Sequence, residues 1–110
     1  MMRRRTRGGR PARTRAGILR QAARACESAL RRAGVRARVI GSVAYGAVRA
    51  KSDLDLLILR YRGRTWGRVR AIVDDAARPY GVLVDVIFAD TLPPAVRKVM
   101  LKDARRASAL

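Results

Sequence analysis

The sequence contains no histidine and only one cysteine, Cys26, among its 110 residues. The absence of histidine excludes a Ser-His-Asp triad, a histidine general base and histidine-ligated zinc. A single cysteine can form neither an internal disulfide nor a four-cysteine zinc site. Any catalysis must therefore depend on carboxylates, hydroxyls, backbone amides and arginines, and we expect a reducing, cytoplasmic location.

Acidic residues are also scarce, because 8 Asp and Glu stand against 26 Lys and Arg and give a net charge of +18 at pH 7. This surplus favours polyanionic partners such as nucleic acid, nucleotides or an acidic protein. The alternative is that it reflects only an arginine-rich composition and solubility. Residues 1–15 are rich in arginine and contain no large apolar residue after the opening methionines. They are predicted to form a disordered tail that could contact RNA or DNA, and residues 16–110 are predicted to form the domain.

Long apolar runs are missing too. No stretch approaches the roughly 20 residues that span a bilayer, so we expect no membrane association and no secretory signal. The first periodic segment, Ala16 to Ala33, predicts an amphipathic helix that carries Cys26 on its apolar stripe and ends at Gly34. Residues 35–41 alternate like a strand, with Val35, Ala37 and Val39 on one face.

The remaining segments predict an α/β fold, a small sheet with flanking helices. Residues 42–50 read as a turn into a short helix, and residues 53–61 as a second strand. Thr65 is a candidate cap for a helix that ends before Pro79, with Trp66 on its apolar side. The nearly apolar residues 81–89 predict a third strand buried on both faces. A last helix is expected after Pro93 and Pro94, and its inward residues would be Val96, Val99, Met100 and Ala104.

Three aspartates stand out against this background. Asp53 and Asp55 alternate along the second strand, so they should share a face about 6–7 Å apart. Asp85 is the only polar residue in the segment 82–88. If the second and third strands are neighbours, the three carboxylates can form a hard-cation site suited to Mg²⁺ or Mn²⁺. The alternatives are a turn or cap role for Asp53 and a salt bridge from Asp85 to an arginine.

A glycine-serine segment precedes these aspartates. Gly41 and Ser42 end the first strand, and backbone amides there, with the serine hydroxyl, are suited to holding phosphate oxygens. Gly46 would let the backbone approach a ligand closely. Arg49 and Lys51 either add positive charge near the phosphates or are solvated loop residues. A phosphate cradle beside carboxylates that bind metal indicates phosphoryl or nucleotidyl transfer.

Together these residues resemble the minimal, single-domain nucleotidyltransferases (MNT) of the DNA polymerase beta superfamily. The resemblance covers about residues 35–105, and its spaced motif consists of Gly41-Ser42, Gly46, Ser52-Asp53, Asp55 and the apolar segment "LLIL". A third aspartate on a later strand is expected in that family, and Asp85 offers it. Tyr45 stands where family members often carry arginine, which leaves one phosphate or acceptor contact in doubt.

The resemblance implies a mixed sheet with flanking helices and roles for the motif residues. Asp53, Asp55 and Asp85 would be the catalytic, metal-binding carboxylates for Mg²⁺ or Mn²⁺, and Asp85 could also help to deprotonate an acceptor hydroxyl. The nucleotide-binding residues would be Gly41, Ser42, Gly46 and Ser52. The reaction would move a nucleoside monophosphate, AMP from ATP being the expected case, to an acceptor hydroxyl and release pyrophosphate.

Minimal members of the family are often antitoxins whose partner is a helical HEPN-type toxin, and some are thought to attach AMP to that toxin. The resemblance therefore implies a protein acceptor. Two alternatives remain open at this stage. One is a scaffold antitoxin without catalysis, and the other is a nucleic-acid-binding module that uses the basic surface and the tail.

Overall fold

The computed structural model describes residues 14–41 and 54–110. Its helices and strands are α1 (Arg15–Arg32), β1 (Arg36–Ile40), β2 (Leu54–Arg60), α2 (Trp66–Ala77), β3 (Val84–Phe88) and α3 (Pro94–Asp103). Short 3₁₀ turns cover Arg78–Tyr80, Ala89–Thr91 and Ala107–Ala109. Most of the predicted tail and the predicted short helix of residues 42–50 lie outside the described residues.

Helix α1 ends at the predicted glycine and begins one residue before the predicted start, after the cap Thr14. The Thr14 hydroxyl accepts a hydrogen bond from the Gly17 amide at 3.0 Å. At the other end Gly34 has a φ of +79°, the left-handed conformation of a C′ glycine. Cys26 is fully buried on the apolar stripe, as predicted. The stripe is centred on Leu19 rather than on Ile18, which is only partly buried.

The described strands form a mixed sheet in the order β1-β2-β3, which confirms the predicted fold class. β1 pairs with β2 antiparallel, and β2 pairs with β3 parallel. A parallel pair needs a crossover, which α2 supplies. The prediction that β3 is buried on both faces was wrong, because Asp85 is exposed and Val86 and Ile87 are only partly buried. β3 lies at an edge of the described sheet. The strand buried on both faces is the central one, β2, where Leu56, Leu57 and Ile58 are fully covered.

Apolar side chains cover both faces of the sheet. On one face Leu56 and Ile58 pack with residues of α1 and α2 in the main core. On the other face a smaller cluster joins Ile40 and Leu57 to Met100 of α3. The two clusters follow from the alternation of side chains along β2, since even-numbered and odd-numbered residues point to opposite faces.

The ends of α2 agree with the sequence, but the inward faces of α2 and α3 agree only in part. The Thr65 hydroxyl caps α2 by accepting the Arg68 amide at 3.0 Å, and the helix ends at Ala77. Trp66 was predicted to face the core, yet 54% of it is exposed. On α3, Val96 and Val99 are 41% and 63% exposed, so the inward assignment of both was wrong. Of the four residues predicted to face inward here, Met100 and Ala104 pack against the smaller cluster.

The last turn of the chain is tied to α1. The Glu27 carboxylate is buried and its Oε2 accepts the backbone amide of Ala107 at 3.0 Å. This hydrogen bond satisfies a charge that would be costly to bury alone. Among the described residues, no helix is long and apolar enough to cross a membrane.

Candidate active site

The candidate site lies at the edge of the sheet where β1 ends and where β2 and β3 begin. Asp55 is the second residue of β2 and Asp85 is the second residue of β3, and the two are register partners. Partners in a parallel pair point to the same face, and neighbouring strands lie about 4.8 Å apart. The pairing of these strands therefore brings two like charges side by side, as the sequence predicted for neighbouring strands.

The end of β1 brings a backbone segment to the same place. Ile40 pairs with Asp55 across the antiparallel β1–β2 ladder, so Gly41 lies beside that aspartate. Gly41 has a φ of +74°, a conformation that favours glycine. A Cβ at this position would collide with Oδ2 of Asp55 and would lie 3.3 Å from its Cγ. The backbone conformation and the close approach of the Asp55 carboxylate thus both favour glycine here.

The two carboxylates occupy the rim of the smaller apolar cluster. Asp55 and Asp85 share a face with Leu57 and Ile87, which continue inward toward α3. Asp55 is half-buried and Asp85 is exposed. The site therefore has an apolar floor on one side and solvent on the other, an arrangement in which a ligand can reach the carboxylates while part of their surroundings stays dry.

Of the predicted site residues, the structure brings together Gly41, Asp55 and Asp85. The other four, Ser42, Gly46, Ser52 and Asp53, lie outside the described residues, as do Tyr45, Arg49 and Lys51. Within residues 14–41 and 54–110 there is no group of three or more potential metal ligands. The described part of the chain supplies two carboxylates, and the third predicted ligand, Asp53, belongs to the segment that is not described.

A cleft beside Asp85 was not predicted from the sequence. It has a volume of about 580 Å³ and is lined by Arg70, Arg78, Leu83 and Asp85 among others. Leu83 is 77% exposed, which is unusual for a leucine next to a strand. Arg70 belongs to α2 and Arg78 to the 3₁₀ turn that follows it, and nothing local in the sequence pairs either residue with the start of β3. The cleft gives a large ligand access to Asp85.

Comparisons with known proteins agree with this geometry. Residues 19–107 match the family model described as "Nucleotidyltransferase domain". A solved structure described as a minimal nucleotidyltransferase is 34% identical to this chain, with a TM-score of 0.67. The similarity covers 86% of this chain and 97% of that one. A search of curated proteins gave no match. The matched range includes all three strands, Gly41 and the three aspartates.

Proposed function

Because the chain belongs to the minimal nucleotidyltransferases of the DNA polymerase beta superfamily, we propose that it catalyses Mg²⁺-dependent nucleotidyl transfer. The substrate is a nucleoside triphosphate, with ATP the expected one, and the acceptor is a hydroxyl group. The observation that carries the proposal is the pairing of Asp55 with Asp85 beside Gly41. Two carboxylates held side by side on adjacent strands can both give oxygen ligands to one divalent cation.

The donor set fits a hard divalent cation. Carboxylate oxygens are the side-chain ligands that Mg²⁺ and Mn²⁺ prefer, and the family motif adds Asp53 to the described pair. The close packing of Gly41 against Asp55 leaves no side chain between the backbone and the carboxylate. A bound divalent cation would neutralise charge that develops on the phosphate oxygens during transfer.

The described residues then have distinct tasks. Asp55, half-buried at the rim of the apolar cluster, holds the nucleotide-bound metal together with Asp53. Gly41 lets the triphosphate approach the backbone beside that carboxylate, with Ser42, Gly46 and Ser52 as further contacts. Asp85 is exposed and faces the same side, so it completes the metal site and can accept the proton of the incoming hydroxyl.

A protein acceptor fits the open side of the site. Asp85 lines the cleft of about 580 Å³, and exposed Leu83 offers apolar contact area for a macromolecule there. The described residues form one small unit around a single sheet, and we propose that a partner brings its own hydroxyl to the carboxylates. We propose a HEPN-type toxin as that partner, as in MNT antitoxins.

The proposed activity can be tested by measuring which labelled phosphate of the nucleotide is transferred to an acceptor. The full chain is incubated with Mg²⁺ and each nucleoside triphosphate, labelled at either the α- or the γ-phosphate, together with a HEPN-type protein or with RNA. Transfer of α-label but not γ-label identifies nucleotidyl rather than phosphoryl transfer, and the labelled macromolecule identifies the acceptor class. Asp55→Asn with Asp85→Asn should abolish transfer, whereas Asp75→Asn, on the outer face of α2, should leave it unchanged. Label transfer that survives the first pair of changes would rule out this site.

A second candidate function has an observation of its own. Val96, Val99 and Leu101 expose apolar surface on α3, and such surface is common where proteins dock. An antitoxin that acts by covering its toxin would use it without catalysis. In that case toxin binding would be independent of Mg²⁺ and would tolerate the loss of Asp55 and Asp85.

A further inference from the structure

The end of the sheet opposite the candidate active site carries a group of arginines around an exposed tryptophan. We call Arg36, Arg60, Arg62, Arg64 and Trp66 the arginine–tryptophan surface. Asp55 and Arg60 are five residues apart on β2, which corresponds to about 17 Å. This surface is therefore separate from the site described above.

Strand pairing, a shared cavity and one hydrogen bond connect the arginines of this surface. Arg36 and Arg60 are register partners across the β1–β2 ladder. Arg60, Arg62 and Arg64 line one cavity of about 330 Å³. Arg64 also donates from Nε to the Ala33 carbonyl at 3.1 Å, which holds the loop after β2 close to the start of β1.

The positive charge of this surface is not neutralised by ion pairs within the described residues. The arginines at positions 36, 60, 62 and 64 are exposed, and none forms an ion pair within the described residues. Like charges directly opposite each other on paired strands destabilise a sheet, so Arg36 beside Arg60 has no benefit for folding. One acidic residue, Asp90, lines the same cavity, and its carboxylate accepts the Tyr61 hydroxyl at 2.6 Å. The surface thus keeps a large excess of cations.

Trp66 is held in a fixed orientation at this surface. Its ring stacks on Phe88, with centroids 5.2 Å apart and an interplanar angle of 21°. Its Nε1 donates to the Tyr61 hydroxyl at 2.8 Å, and that hydroxyl in turn donates to Asp90. One face of the indole is covered by Phe88, yet 54% of the residue is exposed, so the outer face meets solvent. Tyr61 lines the arginine cavity, so the indole lies beside that cavity, and a fixed, exposed ring there is suited to stacking with a nucleobase.

We propose that the arginine–tryptophan surface binds single-stranded nucleic acid, with bases stacked on Trp66 and phosphates contacted by Arg60 and Arg62. Cationic grooves with aromatic platforms are the means by which proteins bind single strands without reading sequence. The described residues begin at Thr14, and Thr14 and Ala33 stand at opposite ends of α1, roughly 28 Å apart. Substitutions in the surface leave the charge of residues 1–15 unchanged, so the surface can be tested by itself.

The experiment uses the full chain, because Trp66 is its only tryptophan and reports directly on stacking. A 12-nucleotide oligo(U) or oligo(dT) should quench the Trp66 fluorescence, whereas an RNA duplex of equal length should bind at least fivefold more weakly. The arms with RNA and DNA show which sugar is preferred. Poly-glutamate is the control for an acidic protein, and quenching of equal size by poly-glutamate would overturn the proposal.

Variants with equal loss of charge locate the binding. Arg60→Gln with Arg62→Gln should weaken oligo(U) binding by about tenfold and lower the slope of log K against log salt by about 1.4. Lys98→Gln with Lys102→Gln, on α3, should change the affinity less than twofold. Trp66→Leu should also cost about tenfold, measured by anisotropy of labelled oligo(U), with urea unfolding as the check on folding. Equal losses in the two charge pairs, or binding without any change in Trp66 fluorescence, would overturn the proposal.

Discussion

Substitution of Gly41 by alanine separates the stability of the fold from the geometry of the candidate site. Gly34 offers a matched control, because its φ of +79° is close to the +74° of Gly41. An alanine at Gly34 meets no atom within 4 Å, whereas an alanine at Gly41 collides with the Asp55 carboxylate. Both variants carry the same backbone strain, of about 1–2 kcal/mol, and only one also displaces a proposed metal ligand.

The expected magnitudes follow from that comparison. Gly34→Ala should lower the free energy of unfolding by roughly 1 kcal/mol, which is about 4–8 °C in Tm for a domain near this size. Gly41→Ala should cost a similar amount, since the Asp55 carboxylate is the end of a rotatable side chain and can turn away. The rotation, however, moves the Asp55 carboxylate away from the Asp85 carboxylate. Gly41→Ala should therefore lose its response to Mg²⁺ and nucleotide, while Gly34→Ala keeps it.

Urea unfolding gives the stabilities, and thermal unfolding with Mg²⁺ and ATP gives the ligand response. A Gly41→Ala variant that is stabilised by Mg²⁺ and ATP as strongly as the unsubstituted protein would show that the position of the Asp55 carboxylate does not matter for binding. The same holds if Gly34→Ala, which leaves the site untouched, loses the response to an equal extent.

Other predictions test the core and the caps. Burial, followed by the charge of Asp74, raises the pKa of Cys26 to about 12 from an ordinary value of 9.0. Because the folded-state pKa of Cys26 lies above its unfolded-state pKa, the thiol ionises first in the unfolded protein. The stability that comes from burying the neutral thiol is therefore complete below about pH 9 and is lost as the pH rises toward 12. Urea unfolding should therefore show a loss of roughly 2 kcal/mol between pH 8 and pH 10.5 that is absent in Cys26→Ala. Thr65→Ala removes the cap of α2 and should cost about 1 kcal/mol in the same assay, whereas an unchanged stability would contradict the capping role. Glu27→Ala leaves the Ala107 amide without its acceptor and should cost about 1–3 kcal/mol, and protection of that amide from hydrogen exchange should fall.

Local signals in the sequence were sufficient for the helix ends and for the faces of the strands. Thr65 before an amphipathic segment and Gly34 after one are capping residues whose chemistry acts within a few positions. Alternation likewise placed Asp55 and Leu57 on one face of β2. These features depend on neighbours in the chain, so the sequence alone predicts them.

Features that depend on strand order were harder to predict. An apolar strand has the same sequence pattern whether it is central or at an edge. The sequence therefore predicts two buried faces for β3, although the central strand, with both faces covered, is β2. Val99 is exposed because the smaller cluster contacts α3 through Met100 and does not include Val99. Trp66 covers Phe88 from outside, and its helical position alone cannot distinguish this from burial.

The candidate site shows both cases together. Alternation and the family motif indicated the three aspartates, but the pairing of Asp55 with Asp85 depends on the register of two strands that are 30 positions apart. The packing of Gly41 on Asp55 requires a second register, that of the antiparallel β1–β2 pair. Such non-local pairings carry no signature in a single sequence.

The proposed function depends on the binding of a divalent cation together with a nucleoside triphosphate by the carboxylates beside Gly41. Thermal unfolding with Mg²⁺ and each nucleoside triphosphate tests it most directly, on the full chain, on Asp55→Asn and on the control Asp75→Asn. A ligand at 100 times its dissociation constant should stabilise the protein by about 2.7 kcal/mol. We expect a rise in Tm that requires Mg²⁺, that persists in Asp75→Asn and that disappears in Asp55→Asn. A rise of equal size in Asp55→Asn, or no rise with any nucleotide, would contradict it.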